Sequence, residues 1–81
     1  MKVRVLFFAI LKEKMKRSEG EYELQAGESV SQLAHRLLAP AFGEGGYESC
    51  LMYAVGEEYV PRDYRPKDGE EIALIPPVAG G

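Results

Sequence analysis

Lys2-Val3-Arg4-Val5-Leu6-Phe7-Phe8-Ala9-Ile10 is the stretch that decides the fold. Side chains along a strand alternate between its two faces. Val3, Val5, Phe7 and Ala9 therefore point one way, and Arg4, Leu6, Phe8 and Ile10 the other. Apart from Arg4 both sets are apolar, which suits a central strand covered on both sides. The last such segment, Glu71 to Ile75, is again apolar at both parities and so is also central. Residues 20–25 differ, because Tyr22 and Leu24 alternate with Glu21, Glu23 and Gln25 and only one face is buried.

Lys12 through Arg17 reads as a basic, polar connection between the first two strands. Gly27-Glu28 breaks the second strand and Ser29 opens a helix, with Gln32 placed for a capping box. Val30, Leu33, Ala34, Leu37 and Leu38 make one apolar stripe along it, and Pro40 is predicted to stop it. A glycine-rich loop is expected over 41–50, then a strand at Leu51–Val55, a turn at Gly56-Glu57 and a short strand through Tyr59 and Val60. In Pro66-Lys67-Asp68-Gly69 proline presets φ and glycine accepts a positive φ, so this is a turn. The element order is β-β-α-β-β-β. An α+β fold follows, a mixed sheet with one main helix packed across one face and the first and last strands adjacent at its centre. That is the β-grasp, or ubiquitin-like roll. The domain is expected over 1–75, with 76–81 a flexible C-terminal tail.

At 81 residues there is no room for a second core. Apolar content of 46 % and charged content of 28 % describe a globular chain, not a disordered one. A net charge of −3 argues against a nucleic-acid partner, which demands a basic face. The single cysteine, Cys50, cannot form an intramolecular disulfide. The apolar N-terminus is interrupted by Arg4 and lacks a small-residue cleavage site, so it reads as a strand and not a leader. No segment approaches the ~20 apolar residues of a membrane helix. A cytoplasmic protein without a membrane partner is expected.

The chemistry is expected in the tail, Pro76-Pro77-Val78-Ala79-Gly80-Gly81. Two prolines cannot continue a hydrogen-bonded ladder and favour an extended chain, which directs the following residues away from the body. Val78 and Ala79 are small, and Gly80 and Gly81 lack side chains, so such a terminus fits a channel as narrow as a backbone. A terminal carboxylate is a poor electrophile until adenylated by ATP. A sulfur donor can then convert it to a thiocarboxylate, a nucleophile carried on an arm. A Gly-Gly ending alone is also what a frayed terminus looks like.

Asp68-Gly69-Glu70-Glu71-Ile72-Ala73-Leu74-Ile75 followed by that tail closely resembles the C-terminal signature of the small, sulfur-carrying subunits of molybdopterin synthase. Val5-Leu6-Phe7-Phe8-Ala9 is similar to the first strand of that family, and the resemblance spans the chain. It implies that Gly81 is adenylated by a partner of the ubiquitin-activating type and then thiocarboxylated. It further implies that Gly80, Ala79 and Val78 enter the active site of a large synthase subunit. Sulfur would there pass to cyclic pyranopterin monophosphate, forming the dithiolene of molybdopterin, in a heterotetramer. No permanently bound cofactor is implied; ATP belongs to the activating enzyme. Where the family often has Val-Asn, this chain has Val55-Gly56, and glycine accepts the same positive φ.

A partner surface is expected on the sheet face opposite the helix, from Phe8, Tyr59 and Ile75 with Leu6, unless the loop at 41–50 closes that side. Lys12, just past the first strand, could pair with an acidic partner residue or belong to a solvated basic loop. His35 falls opposite the apolar stripe and reads as solvent-facing, and Cys50 has no companion at metal-ligand spacing. Gly43-Glu44-Gly45-Gly46 follows a helix and carries a carboxylate, unlike a phosphate loop. The Glu57-Glu58 and Glu70-Glu71 pairs read as solvated charge. No metal site is expected. Two other functions would use the same tail: a sulfur carrier for thiamine synthesis or tRNA thiolation, and a ubiquitin-like modifier joined to lysines.

Overall fold

Two strands that are apolar on both faces lie side by side at the centre of the sheet: β1 (Lys2–Phe7) runs parallel to β5 (Glu71–Ile75), with Val5 opposite Ile72 and Phe7 opposite Leu74. The computed structural model describes residues 1–43 and 45–77. On one side β2 (Glu19–Glu23) pairs antiparallel with β1. On the other, β3 (Met52–Val55) pairs antiparallel with β5, and β4 (Glu58–Val60) closes the sheet against β3. The order β2-β1-β5-β3-β4 is the mixed β-grasp sheet expected from the two doubly apolar strands.

The main helix, α2 (Val30–Phe42), crosses one face and buries Val30, Leu33, Ala34 and Leu38 against Val3, Val5, Phe7, Tyr53, Ile72 and Leu74. Each Val, Leu, Ile or Phe side chain among them removed from water contributes about 1.5–3 kcal/mol. Ser29 and Gln32 form the expected capping box: Ser29 Oγ accepts from the Gln32 N–H at 3.2 Å, and Gln32 Oε1 from the Ser29 N–H at 2.9 Å. The next donors are also taken, Val30 N–H by the Tyr64 carbonyl at 2.8 Å and Ser31 N–H by that of Arg62 at 3.1 Å. Protein acceptors therefore occupy the first turn of α2, leaving it no vacancy for an anion.

Three elements depart from the sequence reading. The first strand ends at Phe7, not Ile10, because Ala9 adopts φ 51 and ψ −126 and the Phe8 carbonyl accepts from the Leu11 N–H at 3.0 Å. Those are the angles of a type II′ turn at its first central residue. A short helix, α1 (Ile10–Met15), follows in what reads as a polar connection. Leu11 is fully buried and Met15 packs on the core one turn later, a spacing masked by the surrounding lysines. Finally, α2 runs through Pro40 to Phe42. Pro40 removes one ladder bond, whereas Phe42 stacks on Tyr47 at 4.4 Å and the Gly43 N–H reaches the Ala39 carbonyl at 2.7 Å.

The β3–β4 hairpin turns on Gly56 and Glu57, at φ 57 and 71, between the paired Val55 and Glu58. Both central residues at positive φ make a primed two-residue turn, for which the second position favours glycine. Glu57→Gly is expected to stabilise the fold by about 1 kcal/mol. Scanning calorimetry should then record a melting temperature higher by about 4–8 °C.

Candidate functional site

The face of the sheet away from α2 is laid out by strand parity. Leu6 on β1 pairs with Ala73 on β5, Ala73 with Ala54 on β3, and Ala54 with Tyr59 on β4, one row crossing four strands. Met52 pairs with Ile75 beside it. Phe8, Met52 and Tyr59 are 45 %, 54 % and 67 % exposed, so this apolar surface is not part of the core. Among the described residues of the 41–50 loop, Tyr47 reaches the edge of this surface beside Phe8 and Ile75, and none lines the groove over the row itself. The loop's 3-10 helix, Tyr47–Cys50, packs on α2.

Four of the residues expected at a partner surface are brought together. Leu6, Phe8, Tyr59 and Ile75 line a shallow groove of about 330 Å³ with an Ala54 and Ala73 floor and Glu57 and Glu71 at its edge. Lys12 is not with them. It is exposed on α1 two positions after Ile10, about 200° around the helix from it. Gly81, Gly80, Ala79 and Val78 lie outside the described residues.

A second apolar groove, of about 700 Å³, lies where the chain leaves the sheet. Phe8 and Ile75 belong to both grooves and form the ridge between them. Its other walls are Ala9, Ile10, Tyr47, Pro76 and Pro77. Pro76 is buried and Pro77 exposed. Sequence reasoning missed Ile10, Tyr47 and Met52 as surface-forming residues. Ile10 was assigned to a strand that ends earlier, and Tyr47 to a structureless loop. Met52 could have been found, since it shares the parity of Ala54 along its strand.

The polar groups around these grooves are structural. Arg4, on the same face, lies 3.4 Å from Glu19 and 4.0 Å from Glu21, pairs exposed enough to contribute little. The buried Tyr53 hydroxyl donates to the Glu48 carbonyl at 3.0 Å, and burial pushes its pKa up to about 12. His35, read as solvent-facing, is half-buried with Nδ1 3.1 Å from Glu48 Oε1, tying α2 to the 3-10 helix. Glu70 also does more than carry solvated charge. It accepts from the Tyr64 hydroxyl at 3.0 Å and the Lys67 N–H at 2.8 Å, fastening the turn before β5. Among the described residues no group of three or more His, Cys, Asp or Glu could hold a metal ion. None of their helices is long and apolar enough to cross a membrane.

The strongest charged contact lies elsewhere. Arg36 donates from Nε to Glu28 Oε2 and from Nη2 to Oε1, both at 2.9 Å, and from Nη2 to the Glu23 carbonyl at 2.7 Å. Glu28 is buried and also accepts from the Gln25 N–H at 3.0 Å. The hydrogen bond from Arg36 holds its carboxyl below the ordinary glutamate range. A lowered folded-state pKa stabilises the fold fully above the ordinary glutamate range. That contribution is lost as pH falls through the lowered value. Glu28→Ala is expected to cost about 2–3 kcal/mol at neutral pH. Urea melts should show the gap from the wild type narrowing as pH falls toward that value.

The family model described as the ThiS family matches residues 5–81. A molybdopterin synthase sulfur carrier subunit from Chlamydomonas reinhardtii is 34 % identical over 83 positions, covering all of both chains. Among solved structures, one from Pyrococcus furiosus described as subunit 1 of molybdopterin converting factor is 32 % identical with a TM-score of 0.75, over 96 % of this chain and 99 % of that one. A chain in the complex of subunits 1 and 2 of molybdopterin-converting factor from Helicobacter pylori is 26 % identical with a TM-score of 0.61, over the full length of both. SAMP1 from Haloferax volcanii shares the fold, with a TM-score of 0.75 at 20 % identity over all of both chains. The chain belongs to the ThiS family, a ubiquitin-like β-grasp protein related to the molybdopterin synthase sulfur-carrier subunits.

Proposed function

We propose that this protein is the sulfur-carrying small subunit of a molybdopterin synthase, with Gly81 as its reacting terminus. The apolar row Leu6–Ala73–Ala54–Tyr59, leading to Phe8 and Ile75 at the base of the tail, is the observation that carries the reading. An unpartnered apolar face of this kind suits a larger protein that covers it and receives the tail. The relative in the Helicobacter pylori complex is solved together with its subunit 2, which supports a large-subunit partner here.

In this reading the Gly81 carboxylate attacks the α-phosphate of ATP on an activating enzyme, and pyrophosphate leaves. A sulfur donor displaces AMP from the acyl-adenylate and leaves a thiocarboxylate. The tail, Val78 to Gly81, then enters the large subunit, where two loaded chains in succession each give one sulfur to cyclic pyranopterin monophosphate. A C–S bond forms as a C–O bond of the substrate breaks, and the oxygen leaves with its electron pair. Hydrolysis of the resulting acyl link regenerates the carboxylate. The β-grasp body supplies docking, and the large subunit holds the substrate, which fits a chain of net charge −3. The working assembly is a heterotetramer in the cytoplasm.

Intact-mass analysis tests this reading. Incubation with the activating enzyme, ATP and a sulfide source should replace one oxygen of the chain by sulfur, a gain of about 16 Da by the element masses of this acyl substitution. Production of molybdopterin on addition of the large subunit and cyclic pyranopterin monophosphate completes the test. Lysine-linked high-mass conjugates in place of the thiocarboxylate would make the protein a modifier. Thiolation without molybdopterin formation would assign it to another sulfur pathway.

A further inference from the structure

The tail is short, and its length constrains what can touch it. Gly81 follows Pro77 by four residues. Fully extended, these span at most about 14 Å. Any centre that acts on Gly81 must therefore lie within about that distance of Pro77, so the protein around it comes within reach of the groove that Pro77 lines.

Those walls have a definite chemistry. Ile10, which is 38 % exposed, and Tyr47 both line the groove, with Phe8 and Ile75 shared between it and the open sheet face. Lys14 follows Ile10 by one turn on the same flank of α1. Its ammonium lies 5.9 Å from the centre of the Phe42 ring, and Phe42 stacks on Tyr47. This cation–π contact holds a positive charge beside an apolar groove. No carboxylate among the described residues pairs with Lys14.

We propose that the large subunit seats an apolar side chain between Ile10 and Tyr47 and places a carboxylate opposite Lys14. This rests on the function proposed above and extends the docking surface over the Phe8–Ile75 ridge. The occupant follows from complementarity: the groove is apolar, its fixed charge is positive, and the tail brings the tail-receiving protein within reach of it.

Binding kinetics to the large subunit, measured over a range of salt concentrations, test the assignment. Ile10→Glu is expected to raise Kd about 30-fold, as loss of a buried anchor does. Lys14→Glu is expected to slow association about 10-fold at low salt, a difference that closes at high salt. Lys67→Glu makes the same charge change at the other end of the sheet, and should behave as wild type. Wild-type kinetics for both Ile10→Glu and Lys14→Glu overturn the proposal, as does an equal slowing by Lys67→Glu, which would reduce the effect to net charge. If Ile10→Glu loses its thermal transition, Lys14→Glu decides alone. Absence of binding by the wild type itself would instead overturn the proposed function, and this inference with it.

Discussion

Removing Gly81, or adding one residue after it, is expected to abolish sulfur transfer and leave thermal unfolding unchanged. One residue of extended chain shifts the terminal carboxyl by about 3.3–3.6 Å. Reacting atoms must approach to about 3–3.5 Å in a defined orientation, so a displacement of that size removes the productive geometry altogether. A loss of more than about a thousandfold is expected, since misplacement by only about 1 Å already costs around a hundredfold. The fold is indifferent to the change because the core closes earlier, with Ile72 and Leu74 fully buried and Pro76 the last buried residue described. Single-turnover formation of molybdopterin and a calorimetric melt, run on the same samples, check both halves. Residual transfer by the shortened chain would place the reacting group elsewhere, and a lowered melting temperature would show the tail contributing to the body.

Phe8→Asp is expected to weaken binding to the large subunit by more than about a hundredfold. Phe8 stands on the ridge shared by both grooves and is 45 % exposed. Its loss therefore opens no internal cavity. In a complex its ring would become one of the most deeply covered groups, and an unpaired carboxylate in its place would have to be desolvated. Central aromatic anchors of this kind account for about 2–4 kcal/mol when truncated, and a buried unpaired charge adds to that. Titration calorimetry of the variant, with its melting curve as a control for folding, checks the assignment. Affinity equal to the wild type would remove Phe8 from the interface.

The centre of the fold was legible because it depends on parity alone. Val3, Val5, Phe7, Ile72 and Leu74 face α2, and Leu6, Phe8 and Ile75 face away, as period-two reading of the strands requires. The capping box at Ser29 and Gln32 was legible too, since it is a local pattern of residue types. What escaped depended on a single backbone state or a distant contact. Nothing in Phe8-Ala9-Ile10 announces a positive φ at alanine, a conformation that costs a side chain about 1–2 kcal/mol and is held by the packing of Leu11 and Met15 beyond it. The continuation of α2 past Pro40 depends on Phe42 meeting Tyr47, a ring in another element. The first groove was therefore anticipated in Leu6, Phe8, Tyr59 and Ile75, though not in the rest of its lining, and the second, which needs both of those events, was not.

The parallel pairing of β1 with β5 also has a consequence for synthesis. Arg4 pairs with Glu71, so the middle of the sheet joins segments far apart in the order of synthesis. Such a pairing cannot form until β5 has been made. The loop it closes is among the longest the molecule contains, and contacts this distant in sequence slow folding. β1 must wait, one edge paired with β2 and the other unmet, until β5 has emerged. A ribosome that stalls before β5 therefore releases a chain with no sheet centre, open to proteolysis. The row Leu6–Ala73–Ala54–Tyr59 is complete only once β5 is in place, so folding itself screens out chains truncated before that strand.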